Sequence, residues 1–192
     1  MSNEIHNESE LIHKAQDGDV AAFEQLIENY QQPVFNLAYR MIGNQDDASD
    51  IAQEAFIKVY TSISRFKGNS KFSTWIYRIT TNVCLDEIRK RKRLPTFSLS
   101  ESIDADEGEI NREIEDKSAN VEMNFEIEQR NKIINEAILK LPEKHRAVIV
   151  LRDVNNLSYD QIAATLDCSE GTVKSRIARA REKLYEILKD KL

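Results

Sequence analysis

The 192-residue chain has only two cysteines, three prolines, five glycines and one tryptophan, and no apolar run long enough to span a bilayer. Each shortage removes a class of protein. Cys84 and Cys168 lie far apart, and neither belongs to a Cys-x-x-Cys pair or a Cys/His cluster, so neither a disulfide nor a metal site is expected. Both thiols read as small packing residues. Scarce glycine and proline favour an all-α chain. The sequence contains no glycine-rich loop to cradle phosphate, no metal-binding set of acids and histidines, and no nucleophile paired with a base. The sequence therefore offers no sign of catalysis or of a cofactor. Met1 to Glu10 is polar and has no signal-peptide core, which predicts a cytoplasmic protein.

The formal net charge is −6, but it is unevenly spread. Residues 1–94 carry 12 Lys and Arg against 13 Asp and Glu, and residues 126–192 carry 13 against 11. Residues 95–125 carry 2 against 9, with scattered apolar residues too few to form a core. This composition predicts an acidic flexible linker between two small helical domains, at 10–94 and 126–192. Each domain has a basic patch: Arg89-Lys90-Arg91-Lys92-Arg93 closes the first, and five cations between Lys174 and Lys183 fill the last helix of the second.

The second domain carries the plainest motif. Ser158 and Gln161 form the pattern of a capping box, so a short helix begins there, with Tyr159, Ile162, Ala163 and Leu166 at helical spacing. Asp167-Cys168-Ser169 breaks the pattern, and Ser169 suits the cap of a second helix. On that helix Val173, Ile177, Ala180, Leu184, Ile187 and Leu188 share one face. Two short helices across a tight turn, the second cationic, make a helix-turn-helix whose second helix enters the DNA major groove. The expected base-facing residues are Thr172, Ser175 and Arg179, with Arg176 on their flank. Lys174, Arg181 and Lys183 are expected on phosphate.

The first domain reads as helices throughout. A short helix holds Leu11, Ile12 and Ala15 and stops at Asp17-Gly18, and Asp19 caps a second helix. Pro33 predicts either a kink or two abutting helices before the stop at Gly43. Asn44 caps a helix with a buried stripe of Ala48, Ile51, Ala52, Ala55, Phe56, Val59 and Ile63. Asp47, Asp50 and Glu54 project from its other side. Asp46 and Asp47 suit the positive helix N-terminus, while Asp50, Gln53 and Glu54 equally suit a solvated face or docking to a basic partner. Ser70 is expected to cap a long helix running to about Arg93. Phe72, Trp75, Ile76, Ile79 and Val83 form its buried side, and Tyr77, Arg78, Thr81, Asn82 and Arg89 its open side. Aromatic and cationic side chains mixed in this way suit single-stranded nucleic acid, although Phe72 reads better as core.

Three blocks, taken in order, resemble the bacterial sigma factors of the extracytoplasmic-function group. Asp46 to Phe56 resembles the part of the second conserved region that binds the clamp helices of the polymerase beta-prime subunit. Phe66, Phe72 to Trp75, Ile79, Asn82, Asp86 and Arg89 resemble the segment that opens and reads the −10 promoter element. Leu141-Pro142-Glu143-Lys144-His145-Arg146, Ser158 to Ile162, Gly171 to Arg176 and Ala180-Arg181 resemble the fourth region. His145 departs from the aromatic usual at its place.

The resemblance implies a specificity subunit that binds core RNA polymerase at the beta-prime clamp helices and the beta flap. It also implies contacts with promoter DNA, both double-stranded and melted, and an anti-sigma factor as antagonist. Asp47, Asp50, Gln53 and Glu54 become polymerase contacts. Lys67, Asn69, Lys71, Trp75, Arg78, Asn82 and Arg89 become −10 contacts, with the 67–71 loop receiving a flipped base. The linker acids Glu101, Asp104, Asp106, Glu107 and Glu109 either thread a basic polymerase channel or are simply solvated. Two other classes fit parts of the chain: a helix-turn-helix regulator that dimerises on a palindrome, and an inactive decoy that sequesters polymerase. A nuclease fits less well, for want of metal-binding acids.

Overall fold

The computed structural model describes residues 2–93, 121–189 and 191, and every regular element among them is helical. The first half runs α1 (Ser2–Gln16), α2 (Val20–Glu28), α3 (Gln31–Ile42), α4 (Gln45–Ser62), a 3-10 turn (Ile63–Arg65) and α5 (Phe72–Arg93). The second half runs α6 (Val121–Leu139), α7 (Glu143–Ile149), a π-helical turn (Val150–Val154), α8 (Tyr159–Leu166) and α9 (Glu170–Leu188). The linker acids Glu101, Asp104, Asp106, Glu107 and Glu109 lie outside the described residues. The helix α6 opens inside the stretch read as linker.

Local chemistry explains most boundaries. Asp19 accepts from Ala22 N–H at 3.0 Å and starts α2, and Asn44 accepts from Asp47 N–H at 3.0 Å and starts α4. Pro33 falls in the first turn of α3, where a missing N–H costs nothing, so the chain forms two abutting helices rather than one kinked helix. Gly43 ends α3 at φ +87°, and a side chain there would run into Leu139 of α6. Two expectations fail at helix starts. The first helix is longer than its apolar residues suggested, because the polar stretch from Ser2 joins it. Ser70 does not cap α5: its hydroxyl donates to the Lys71 carbonyl at 3.4 Å, and Trp75 N–H bonds back to Lys71 O at 3.2 Å.

The halves share one apolar core. Val34, Leu37, Met41, Ile76 and Val59 of the first half are fully enclosed, as are Val148, Val150, Ile162 and Val173 of the second. The helix α3 packs on α6 and the π-helical turn, and α5 packs on α8 and α7. Arg146 fastens this seam. Its guanidinium donates to the carbonyls of Met41 at the end of α3 and of Leu139 at the end of α6, and to Leu141 at 3.2 Å. This packing also corrects the reading of α5. Tyr77 and Thr81, expected on the open side, are buried. Tyr77 faces Asn155 of the second half, and its burial there pushes the phenol pKa up. A phenol or a threonine on a helix can face water or a neighbouring domain, and periodicity does not distinguish the two.

Candidate nucleic-acid interface

With one side of α5 in its own core and another against α8, a single strip stays open. Steps of three, four and seven residues place Trp75, Arg78, Asn82 and Arg89 on it. Arg78, Asn82 and Arg89 are exposed, and Trp75 is half-buried. The Trp75 ring leans on Phe66 at 5.2 Å and Phe72 at 5.7 Å between centroids, and Phe72 is enclosed as expected. The aromatic cluster thus fixes the Trp75 ring, which together with Phe66 reaches the surface. Next to it Lys67, Asn69 and Lys71 are exposed on the loop before α5, which turns at Gly68 with φ +71°. The loop and α1 face each other across an open cleft of about 510 Å³.

The basic run that closes α5 is largely engaged. Arg91 grips Asp47 of α4 through two contacts, 2.8 and 2.9 Å long, and also holds Glu87 at 2.8 Å. Lys92 reaches Glu143 of α7 at 2.9 Å, and Arg89 meets Asp86 at 3.1 Å. The Arg91 guanidinium holds the Asp47 carboxyl below its ordinary range. Of the four acidic-face residues singled out from sequence, Asp47 is therefore turned inward. Asp50, Gln53 and Glu54 are exposed, with Glu54 also pairing Lys58 at 2.7 Å.

Helical spacing places two further residues on the Asp50 strip: Ile57, 63% exposed, and Tyr60, 41% exposed. Sequence reading passed over both. The missed signal was Ile57 falling outside the buried stripe of an otherwise regular helix.

The helix-turn-helix is assembled as its sequence indicated. Ser158 and Gln161 form the capping box of α8, and Ser169 caps α9 by accepting from Thr172 N–H at 3.2 Å. The turn needs a left-handed residue, which Asp167 supplies at φ +49°. The cationic residues of α9 do not all point the same way. Thr172 is half-buried, with its hydroxyl 3.0 Å from Ser169 Oγ, and Arg176 folds back to Cys168 Sγ at 3.8 Å. Arg181 pairs with Asp153 at 2.7 Å, while Lys174 lies 5.9 Å over the Tyr159 ring and 3.8 Å from Glu170. Arg179, Lys183 and Ser175 are exposed, Ser175 donating to Thr172 O at 3.0 Å. Beside them sits Ala178, exposed and too small to keep a partner away. The half-buried imidazole of His145 has its pKa lowered by burial and by Lys183, Arg179 and Arg176.

Comparison with known proteins gives this geometry its context. Sigma-70 region 2 matches residues 26–94, and Sigma-70 region 4 matches residues 131–184. The ECF RNA polymerase sigma factor SigW of Bacillus subtilis is 41% identical over 93% of this chain and 95% of its own. The chain belongs to the extracytoplasmic-function sigma factors. Its likeness to the sigma-E factor of Escherichia coli is 40% identity over 90% of this chain and 89% of that one. Among solved structures, a Bartonella quintana sigma factor RpoE, in complex with the anti-sigma factor NepR, superposes with TM-score 0.66 and 25% identity. The match covers 90% of this sigma factor and all of that chain. The fold is also that of CnrH, solved with the cytosolic domain of CnrY, at TM-score 0.68 and 24% identity over 97% and 99% of the two chains. The open strip of α5 lies within the region 2 match, and α8 and most of α9 lie within the region 4 match.

Proposed function

We propose that this sigma factor reads the −35 element with α9, reads and opens the −10 element with α5 and the loop before it, and docks on core RNA polymerase with α4. The observation that carries the reading is the pairing, in one chain, of a duplex reader and a strand reader. Arg179, Ser175 and Lys183 face outward on a helix-turn-helix, and Arg78 and Asn82 are exposed, with Trp75 half-buried, on the helix that follows the cleft-lining loop. Arg179 bonds guanine edges, Ser175 takes a base edge or phosphate, and Lys183 takes phosphate. Thr172, Lys174, Arg176 and Arg181 join the DNA contacts at the cost of their contacts within the protein. Trp75 and the loop residues Lys67, Asn69 and Lys71 receive unstacked bases, with Arg78, Asn82 and Arg89 beside them. Unstacking costs a few kcal/mol, which stacking and hydrogen bonding largely offset, so polymerase needs to supply only the remainder.

Asp50, Gln53 and Glu54 bind the polymerase clamp helices around an apolar centre at Ile57 and Tyr60. Asp47 joins them when Arg91 releases it, and α9's domain reaches the beta flap. Chemistry belongs to the polymerase; the sigma factor itself catalyses nothing. No described helix is long and apolar enough to cross a membrane, and the working compartment is the cytoplasm. An anti-sigma factor antagonises the chain, as the complexes of its structural relatives suggest.

The names of the two elements place them 25 base pairs apart, about 85 Å along B-DNA. A packed chain of this length has a radius of gyration of about 16 Å. Both elements are therefore engaged only after the seam at Arg146 opens, and residues 94–120 have a contour of about 90 Å to allow it. Run-off transcription with core polymerase on a promoter pool tests the reading. Starts that need this protein and share two upstream motifs at fixed spacing are the expected result. Core binding without new starts would identify a decoy, and unaided binding to a palindrome would identify an ordinary regulator.

A further inference from the structure

The helix α1 ends in a side chain that reaches the turn ahead of the 67–71 loop. Gln16 reaches out of α1 and donates its amide N–H groups to Ile63 O at 3.1 Å and Phe66 O at 2.8 Å. Those carbonyls belong to the 3-10 turn and to the first loop residue after it; Ile63 O also accepts from Phe66 N–H at 3.0 Å, while Phe66 O lies past the end of the turn. One amide thus clips both ends of the turn from which the 67–71 loop departs.

The helix that carries this clip is itself anchored. Glu8 accepts from the Tyr30 hydroxyl at 2.5 Å, and the Tyr30 ring packs edge-on against Phe72 at 5.4 Å. The cleft is then walled on one side by Ser9, Ile12 and His13 of α1, and on the other by Phe66, Lys67 and Lys71. The helix α1 lies ahead of residue 26, where the match to Sigma-70 region 2 begins, and its apolar pattern marked it only as a packing helix.

The geometry points to Gln16 as a positioning residue for −10 specificity. By clipping the turn to α1 it fixes the separation of the two cleft walls and so decides which base fits between them. The inference rests on the functional reading above. Gln16 itself lines the cleft, but both N–H groups of its amide are taken by Ile63 O and Phe66 O, so it acts through the loop.

The test uses the full chain with core polymerase on promoter fragments that carry each of the four bases in turn at every non-template −10 position. Gln16→Met keeps the volume and loses the donors. It should lower base discrimination about tenfold at the one position read in the cleft, and leave discrimination at the other −10 positions and in the −35 element unchanged. Gly68→Ala strains the same loop at φ +71° without touching α1 and should produce a loss at the same position. Melting temperatures are recorded for both variants. Discrimination by Gln16→Met equal to wild type overturns the inference, as does a uniform loss at all positions that tracks a lower melting temperature. If the wild-type chain itself shows no base preference in the −10 element, the functional reading fails first.

Discussion

Both α5 and α9 are basic helices about twenty residues long, and on paper α5 is the more strongly charged at its end. In the folded chain the order reverses. Four of the five cations from Arg89 to Arg93 sit in ion pairs with Asp47, Asp86, Glu87 and Glu143. On α9, Arg179 and Lys183 have no ion pair among the described residues, and both stand in water. A run of like charge in a sequence therefore counts cations without saying which of them are available to a phosphate. Arg146 is the extreme case: a single cation in no basic run, half-buried among carbonyls, where desolvation lowers its pKa and three acceptors hold it.

The comparison breaks hardest at Arg146. Arg146→Ala strands the carbonyls of Met41, Leu139 and Leu141 and should cost about 3 kcal/mol of stability, read as a fall in denaturant midpoint. An unchanged midpoint would mean that the seam holds without it. Next in size, Arg179→Ala should remove about 1–3 kcal/mol of discrimination at one −35 base pair, measured by holoenzyme binding to single-base variants. Equal affinity for all four base pairs in the wild type would remove Arg179 from the base-reading face.

Paired and free lysines separate in salt. Lys183→Ala should reduce the slope of log affinity against log salt by about 1, whereas Lys92→Ala, already facing Glu143, should change it little. Similar slopes for the two variants would dissolve the distinction between the helices. Arg91→Gln should cost no more than about 1 kcal/mol in thermal melts, because Arg91 itself is exposed and water screens its pairs with the half-buried Asp47 and Glu87.

The smallest effect belongs to His145, whose neighbours are Lys183, Arg179 and Arg176. Its folded pKa lies below the ordinary 6.5, so below that value the unfolded chain binds a proton that the folded chain refuses. The stability it contributes is present above pH 6.5 and is lost as pH falls toward the depressed folded value. His145→Gln should flatten that part of a melting-temperature profile between pH 7 and 5.

Most of the helices were legible because their ends are written in side chains that act within one turn. Asp19, Asn44, the Ser158 and Gln161 box and Ser169 each bond the backbone three residues away, and their neighbours need no distant partner. Ser70 misled for the complementary reason: it stands one residue too early, and its hydroxyl found the Lys71 carbonyl instead. The exposed residues Asp50, Gln53 and Glu54 were legible from helical period alone. The inward turn of Asp47 was not, since Arg91 lies 44 residues further along the chain.

By itself the sequence determined an all-helical chain, the helix-turn-helix and the resemblance to sigma factors, all of which depend on periodicity, capping and short motifs. Tertiary structure alone decided that Tyr77 and Thr81 are covered, that Arg146 joins the halves, that Gln16 clips the loop, and which cations remain free. Local features are set by residues within a turn of one another. Burial and charge pairing are set by whichever groups the fold brings within a few ångströms, and a linear pattern does not contain that distance.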